Sequence, residues 1–208
     1  MGKTAKRVLA ILLAIVVVAG AVWIALAANT RSSLAIYLDG RAFECETGTA
    51  TAYDSGFGDS DEGATPGIEL TKNLDCTLRF HASNDGAFPI EITTITIPFA
   101  GPATRGGASV VQLDGDISTT YPLAAGADGS RRDAILELDY PLTVAPGEST
   151  FFVATLAYAP DPCLGEGVTM STSRAPSATV SALGIEGERE GLRGGYAFRG
   201  TADSSCDS

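Results

Sequence analysis

The chain has 208 residues, of which 45% are hydrophobic and 19% charged, and its 14 basic and 25 acidic side chains give a formal charge of −11. This acidic balance disfavours nucleic acid and anionic membrane surfaces as partners, because both repel negative charge. It is compatible with a solubilising surface, with cationic ligands or with Ca²⁺.

An uninterrupted apolar run, Val8–Ala28, follows three basic side chains at positions 3, 6 and 7. A helix of this length rises about 32 Å, which matches a bilayer hydrocarbon core of roughly 30 Å. Trp23, near the far end of the run, suits a membrane interface. We therefore expect a retained single-pass anchor in a cell membrane. The positive-inside rule predicts residues 1–7 in the cytoplasm and residues 29–208 outside.

The same run has a competing interpretation as a cleaved signal peptide. Ala25-Leu26-Ala27 is a small-x-small pattern that a signal peptidase could read, and cleavage after Ala27 would release a secreted domain. The run is longer than a usual secretory apolar region, which favours the anchor. In either case we expect residues 29–33 to be a linker and residues 34–208 to form one extracytoplasmic domain.

Beyond the apolar run, short β-rich segments alternate with Gly, Pro, Asp and Asn, and no amphipathic helical period is present. This pattern predicts an all-β domain of roughly nine antiparallel strands. The predicted strand segments are Leu34–Leu38, Arg41–Glu46 with residues 49–53 as an extension, Leu74–Ala82, Phe88–Ile97, Ala108–Leu113, Ala134–Tyr140, Ser149–Tyr158, Gly167–Ser173, Ala178–Leu183 and Gly195–Arg199.

Local sequence signals predict the connections between these strands. Asp39-Gly40 is a dipeptide favoured in type I′ hairpins, so a hairpin is expected there. The hydrophobic phase changes near Thr93-Thr94, which predicts a β-bulge or a crossing between sheets. Composition predicts polar loops over Asp54–Gly67 and Asp114–Arg132, and a mobile hairpin loop over Gly184–Gly195.

All four cysteines lie on the expected outer side of the membrane. An even number of cysteines in an oxidising compartment indicates two disulfides. Sequence order favours Cys45–Cys76 and Cys163–Cys206 among the three possible connectivities. A zinc site is the alternative, but the chain has no CxxC pair and a single histidine.

Two segments, SNDGAFPIEITTITI and LTVAPGESTFFVATLAY, carry a resemblance to a known group of modules. The first resembles an N-x-G-x-x-P hairpin, and the second a P-G-E-S turn and strand, both found in bacterial immunoglobulin-like extracellular modules. The resemblance implies an immunoglobulin-like β-sandwich after the transmembrane helix, with a role in adhesion, spacing or assembly. Lys72 is the single lysine against ten arginines after the apolar run, a bias typical of GC-rich bacterial genomes.

Two sets of polar residues are candidates for ligand chemistry. The acidic loop offers four hard oxygen ligands for a weak calcium site, although it lacks EF-hand spacing: Asp54, Asp59, Asp61 and Glu62. His81 is the only histidine, so any His-dependent mechanism would require it. The alternation of its strand predicts that His81 faces away from the core, in solvent.

Three acidic residues, Asp133, Glu137 and Asp139, share one predicted strand face and could in principle support glycoside hydrolysis. Solvent-facing acids on a half-exposed strand are the ordinary explanation. Exposed rings among Phe88, Phe99 and Tyr121 could instead form a patch that contacts a partner.

These observations favour a membrane-anchored, extracytoplasmic binding or assembly module of a bacterial cell envelope, without catalytic activity and without a cofactor. Its expected partner is another membrane or envelope protein. The alternatives are an extracellular hydrolase on a β-sandwich scaffold and the secreted domain cleaved after Ala27.

Overall fold

The computed structural model describes residues 3–53, 65–101, 107–114, 119–120, 133–159, 164–192 and 194–204. One long helix, α1 (Lys3–Ser32), precedes a domain made mostly of strands. A short 3₁₀ turn, Ala202–Ser204, follows the last strand. The described strands are β1 (Leu34–Thr47), β2 (Thr49–Tyr53), β3 (Thr65–Glu69), β4 (Asp75–Asn84), β5 (Ile90–Ile97), β6 (Ala108–Asp114), β7 (Thr119–Thr120), β8 (Ala134–Val144), β9 (Ser149–Tyr158), β10 (Thr169–Thr172), β11 (Ser177–Ala182), β12 (Ile185–Arg189) and β13 (Tyr196–Arg199).

Helix α1 contains a 26-residue segment, Arg7–Ser32, that is long and apolar enough to cross a membrane, and an 18-residue window within it has a mean hydropathy of 3.0. Its side chains are exposed from Arg7 to Ala25, whereas Ala27 and Thr30 are buried against the β domain. Residues 29–32, expected as linker, complete the helix, and Ser33 alone separates it from β1. The last helical turn is therefore packed on the domain that follows it.

The described strands form three sheets. Sheet A has the order β1-β4-β9-β6, sheet B the order β10-β13-β3-β2, and sheet C the order β12-β11-β5-β8-β7. The pairings are antiparallel except the parallel pair β13–β3. The β-rich prediction is confirmed, while the thirteen described strands exceed the nine expected.

The three sheets share one hydrophobic core. Strand β4 shows the reason, because every second side chain from Cys76 to Asn84 is buried and the others face outward. Phe80 of β4 stacks on Phe152 of β9 with ring centroids 5.1 Å apart. Burial of one such side chain contributes roughly 1.5–3 kcal/mol of stability. Because alternate residues all point to the same side, their burial together packs sheet A against the core.

The hairpin predicted at Asp39-Gly40 is wrong, because β1 is one strand that pairs with β4 along its length. Leu38 is opposite Phe80 and Phe43 is opposite Leu78, so residues 39–42 all face the single residue Arg79. Ile36 and Phe43 are both buried in the same core. That burial requires β1 to stay beside β4. The Asp-Gly dipeptide therefore lies in a large bulge of four residues instead of a turn.

Residues 49–53 do not extend β1 but form β2 in a different sheet. Gly48 has a φ of +124°, a backbone conformation that residues other than glycine rarely adopt. At this residue the chain turns out of sheet A. Strand β2 then pairs with β3, whose first residues lie within the predicted loop Asp54–Gly67. That part of the loop prediction is wrong, and residues 54–64 lie outside the described residues.

The predicted mobile loop Gly184–Gly195 contains strand β12, so this prediction is also wrong. Ala182 is opposite Ile185, and the two residues between them, Leu183 and Gly184, have φ values of +52° and +76°. Two positive φ angles in a two-residue connection are the geometry of a type I′ hairpin. The composition predicted a loop from Gly184 onward, but the two-residue turn and the pairing of β12 with β11 require the tertiary structure.

The bulge predicted near Thr93-Thr94 is present. The register between β5 and β8 shifts between Ile92 and Thr94, and the register with β11 shifts at the same place. The extra residue, Thr93, allows Ile92 and Ile95 both to enter the core.

Candidate functional site

A row of three rings crosses the outer face of sheet A. Tyr37 of β1 lies directly opposite His81 of β4, which lies opposite Phe151 of β9. The ring centroids of Tyr37 and His81 are 5.2 Å apart, and those of His81 and Phe151 are 5.6 Å apart. Phe151 is 58% exposed. We call the outer surface of sheet A around these three residues the ring face.

The central ring of the row is held in place by a carboxylate. His81 Nδ1 and Asp39 Oδ1 are 2.9 Å apart, and since a carboxylate only accepts hydrogen bonds, Nδ1 is the donor. Asp39 comes from the β1 bulge, and Arg79 Nε lies 3.9 Å from its other oxygen. Arg79 also donates to Glu44 at 3.0 Å. His81 faces away from the core as predicted, but it is half-buried and hydrogen-bonded rather than fully solvated.

Sequence reasoning did not identify the ring face. Its members are separated by 44 and 70 positions in the sequence, and they meet because β4 lies between β1 and β9. A signal was present for two of them, because His81 and Phe151 both have the outward parity of strands with clear alternation. The order of strands in the sheet was the missing information.

The ring face continues into a cleft beside the β1 bulge. This cleft has a volume of about 770 Å³ and lies between β1 and the β2–β3 pair. Tyr37 and Asp39 line it together with Arg41, Ala52 and Pro66. The row of rings and the cleft therefore form one continuous surface that offers rings and the charged groups of Asp39, Arg41 and Arg79.

A second concavity, of about 400 Å³, lies on sheet C and includes Asp133. The Asp133 carboxylate accepts hydrogen bonds from Arg174 and from the backbone N–H of Phe99, both at 3.0 Å. The Arg174 guanidinium also lies 5.8 Å from the centre of the Phe99 ring. These contacts give Asp133 a structural role in joining the β5 end to the segment before β11.

The other two predicted carboxylates, Glu137 and Asp139, are exposed on the outward face of β8. The prediction that Asp133, Glu137 and Asp139 share one strand face is thus consistent with the burial pattern. Glu137 lies opposite Thr94 on one side and Thr120 on the other, and it does not line the second concavity. The structure therefore does not bring Asp133 and Glu137 together around one pocket.

Tyr196 is completely buried next to this concavity, and its hydroxyl donates to the Pro98 carbonyl oxygen. Burial, and secondarily the negative charge of Asp133, raises the pKa of Tyr196 well above its ordinary value of 10, while Arg174 acts in the opposite direction. The folded protein thus holds this phenol proton more tightly than the unfolded chain does.

This difference predicts an alkaline loss of stability. Tyr196 in the unfolded chain loses its proton above about pH 10 while the folded protein keeps it, so the free energy of unfolding falls by about 1.4 kcal/mol per pH unit above that point. Below pH 10 this contribution is fully present. Urea unfolding between pH 8 and pH 11.5 checks it, with Tyr196→Phe as the comparison. An equally steep alkaline decline in Tyr196→Phe would contradict this assignment.

The calcium candidates Asp54, Asp59, Asp61 and Glu62 lie outside the described residues, as does Tyr121. Phe88 is exposed in the connection before β5, whereas Phe99 packs against the core after it, so these two rings do not form one patch. In the described part of the chain, no group of three or more His, Cys, Asp or Glu side chains is arranged to hold a metal ion.

Comparisons with known proteins identify no family. No protein-family model matches the chain, and no curated protein matches it. A solved structure, described as the X-ray structure of Northeast Structural Genomics Consortium target SoR45, aligns with a TM-score of 0.38 and 7% sequence identity. That alignment covers 81% of this chain and 88% of the other.

Proposed function

We propose that this protein is a membrane-anchored, extracytoplasmic binding or assembly module that acts without catalysis and contacts a protein partner of the cell envelope through the ring face. The observation that carries the proposal is the row Tyr37–His81–Phe151 on an outward sheet surface. Exposed contiguous apolar surface on a folded domain is typical of interaction sites.

The composition of the ring face suits it to association with a protein partner. Aromatic side chains dominate binding energy at protein interfaces because they bury a large area with few rotatable bonds. The contacts of His81 with Asp39 and with both neighbouring rings hold the row in one arrangement before any partner arrives. Because the rings are already ordered, less side-chain entropy is lost on binding.

The position of the helix supports the membrane part of the proposal. Its exposed apolar surface runs from Val8 to Ala25, and the β domain begins to cover it only at Leu26. A helix with no protein packed around it needs an apolar environment, and a bilayer supplies one. The positive-inside rule then orients the β domain away from the cytoplasm.

An immunoglobulin-like sandwich is the fold that we propose for the β domain. The features that support it are the antiparallel sheets A and C, which contribute side chains to one core, and two connections between them. Residues 85–89 link β4 to β5, and residues 145–148 link β8 to β9. These connections coincide with the two segments that resemble bacterial immunoglobulin-like modules.

Site-specific photo-crosslinking in intact cells tests the binding surface. A benzophenone amino acid replaces Phe151 in the full-length protein, and a matched variant carries it at Tyr140, an exposed ring (79%) on sheet C. We expect a discrete crosslinked species from position 151 and none from position 140. The crosslinked adduct is purified by affinity capture of the full-length variant. Mass spectrometry then identifies the partner protein in the adduct.

Two outcomes would contradict the proposal. A crosslink from position 140 but not from position 151 would move the binding surface to sheet C. No crosslink from position 151, in cells where the variant is folded and membrane-bound, would rule out the ring face as a partner surface.

Replacing two rings of the row, by Phe151→Ser with His81→Ser, is expected to reduce co-purification of the identified partner by about tenfold or more.

A further inference from the structure

We propose that the cleft between β1 and β2 binds an extended segment of the protein partner, which pairs with the open edge of β2 as an added strand and places an acidic side chain against Arg41. The inference deepens the proposed function and rests on it, because it names the chemistry that the partner presents. The cleft adjoins the ring face, and Tyr37 belongs to both.

The first step is the direction of the backbone groups of β2. In an antiparallel pair, opposite residues alternate between pairs that exchange two hydrogen bonds and pairs whose N–H and C=O groups point away from each other. Ala52 lies opposite Pro66, which has no N–H, so this pair is of the second kind. Ala50, two residues earlier, has the same orientation. Both residues therefore direct their N–H and C=O groups away from β3.

A hydrogen bond on the far side of β3 supports this assignment. Leu70, directly after β3, donates its N–H to the carbonyl oxygen of Arg199 in β13. Pro66 is four residues before Leu70 and has the same parity, so its carbonyl also faces β13 and not β2. The groups of Ala50 and Ala52 are thus left for the outer side of β2, and both residues line the cleft.

The second step is the lack of protection along this edge. β2 is the last strand of sheet B, and no described strand pairs with its outer side. Ala50 and Ala52 are exposed. Proteins usually protect strand edges with charges, prolines or bulges. The edge strand β12 carries Glu186, Glu188 and Arg189, and the edge strand β6 has a register shift, whereas β2 has the uncharged sequence TATAY in regular register. An unprotected edge can accept a strand from another chain.

The third step is the opposite wall of the cleft, which is also a strand edge. β1 is the outermost strand of sheet A and lines the cleft from Tyr37 to Phe43. The Ile36 carbonyl oxygen accepts a hydrogen bond from the Leu192 N–H on the side of β1 away from β4. The backbone groups of Leu38, two residues further, point to that side as well. An extended segment in the cleft therefore lies between the edges of two strands.

The fourth step is the charge in the cleft. Arg41 is exposed, and it forms no ion pair with any residue that the structure describes. The other charged residue that lines the cleft, Asp39, is already engaged by His81 and Arg79. A carboxylate and a guanidinium form strong, charge-assisted hydrogen bonds. Arg41 therefore favours an acidic side chain in the segment that pairs with β2.

Selection of peptides on the full-length protein tests the site. The probe is a phage-displayed library of random dodecapeptides, selected on the protein in nanodiscs, with empty nanodiscs as the background. We expect the enriched peptides to contain β-branched or aromatic residues at alternate positions and Asp or Glu at one fixed position. If no peptide is enriched over empty nanodiscs, the cleft site is wrong.

Variants of the protein separate the edge from the charge. Ala52→Pro removes one outward N–H and leaves the bonds between β2 and β3 in place, whereas Ala52→Ser keeps the N–H with a side chain of similar size. We expect Ala52→Pro to weaken binding of a synthetic enriched peptide about tenfold or more, and Ala52→Ser less than about twofold. Arg41→Gln is expected to weaken it about fivefold, and Arg41→Lys less. Equal affinity of wild type and Ala52→Pro would overturn the edge pairing.

N-methylated peptides repeat the test with an unchanged protein. Methylation at every second residue removes the N–H groups along one edge of an extended peptide, so the odd and even positions give two series with the same side chains. One series is expected to lose about tenfold or more in affinity and the other less than about threefold. If both series bind like the parent peptide, strand pairing is wrong. The proposed function fails separately, through the absence of a crosslink from position 151.

Discussion

Replacing Asn84 by alanine is expected to lower the free energy of unfolding by about 3–4 kcal/mol, because it removes four hydrogen bonds of a fully buried side chain, one of them buried and three part-buried. The side chain is fully buried at the end of β4. Its Nδ2 donates to the carbonyl oxygens of Phe88 and Val144, both at 2.9 Å. Its Oδ1 accepts from the Gly86 N–H at 3.0 Å and from the Ser33 hydroxyl at 3.2 Å.

These four bonds join the helix end to the ends of β4, β5 and β8. Ser33 follows α1, Phe88 precedes β5, and Val144 ends β8. The backbone of Asn84 adds two more bonds, accepting from Gly147 and donating to Glu148. Because no other side-chain type has this set of two donors and one acceptor oxygen except glutamine, which is one methylene longer, substitution cannot be compensated locally.

Urea unfolding of the full-length protein in detergent measures the effect. Ser83→Ala is the control, since Ser83 is the preceding residue but its hydroxyl bonds only to exposed Asp85. We expect the control to change the free energy of unfolding by less than about 0.5 kcal/mol. Similar values for the two variants would mean that the Asn84 network does not hold this end of the domain together.

Removing the Cys45–Cys76 disulfide, by Cys45→Ala with Cys76→Ala, is expected to cost about 3–4 kcal/mol. The structure contains this bond, which was the favoured pairing from sequence order, while Cys163 and Cys206 lie outside the described residues. The two cysteines are 31 positions apart, and closing a loop of that length in the unfolded chain accounts for about 3.7 kcal/mol in the chain-entropy model.

The location of the bond predicts which part of the domain responds. Cys45 and Cys76 are directly opposite each other where β1 leaves sheet A, just before the Gly48 turn into β2. We expect hydrogen exchange to rise first in β2 and at the end of β1 in the variant. Non-reducing peptide mapping verifies the pairing. If the variant's free energy of unfolding in urea falls by less than about 1 kcal/mol, the disulfide does not restrict the conformational entropy of the unfolded chain as expected.

Features that depend on neighbouring residues in the chain were predictable. The apolar helix follows from an uninterrupted run of side chains, and the alternation of β4 and the extra residue at Thr93 follow from a period of two and its interruption. Each pattern extends over fewer than about 30 residues, so the sequence contains the whole signal.

Features that depend on distant partners were not predictable. The Asp39-Gly40 dipeptide favours a hairpin locally, but the burial of Ile36 and Phe43 keeps β1 paired with β4. β12 is a strand only because β11 pairs with it and the arginines of α1 and β12 hold the helix end against it. In both cases the tertiary contacts contribute more free energy than the local preference.

The sequence by itself determined that the protein has one membrane-length helix followed by a β-rich domain, because helix length and strand alternation are local properties. Only the tertiary structure decided that Tyr37, His81 and Phe151 form one row and that β1 continues past Asp39-Gly40 beside β4. Strand order and register set both, and they follow from the burial of one shared core, to which residues from the whole domain contribute.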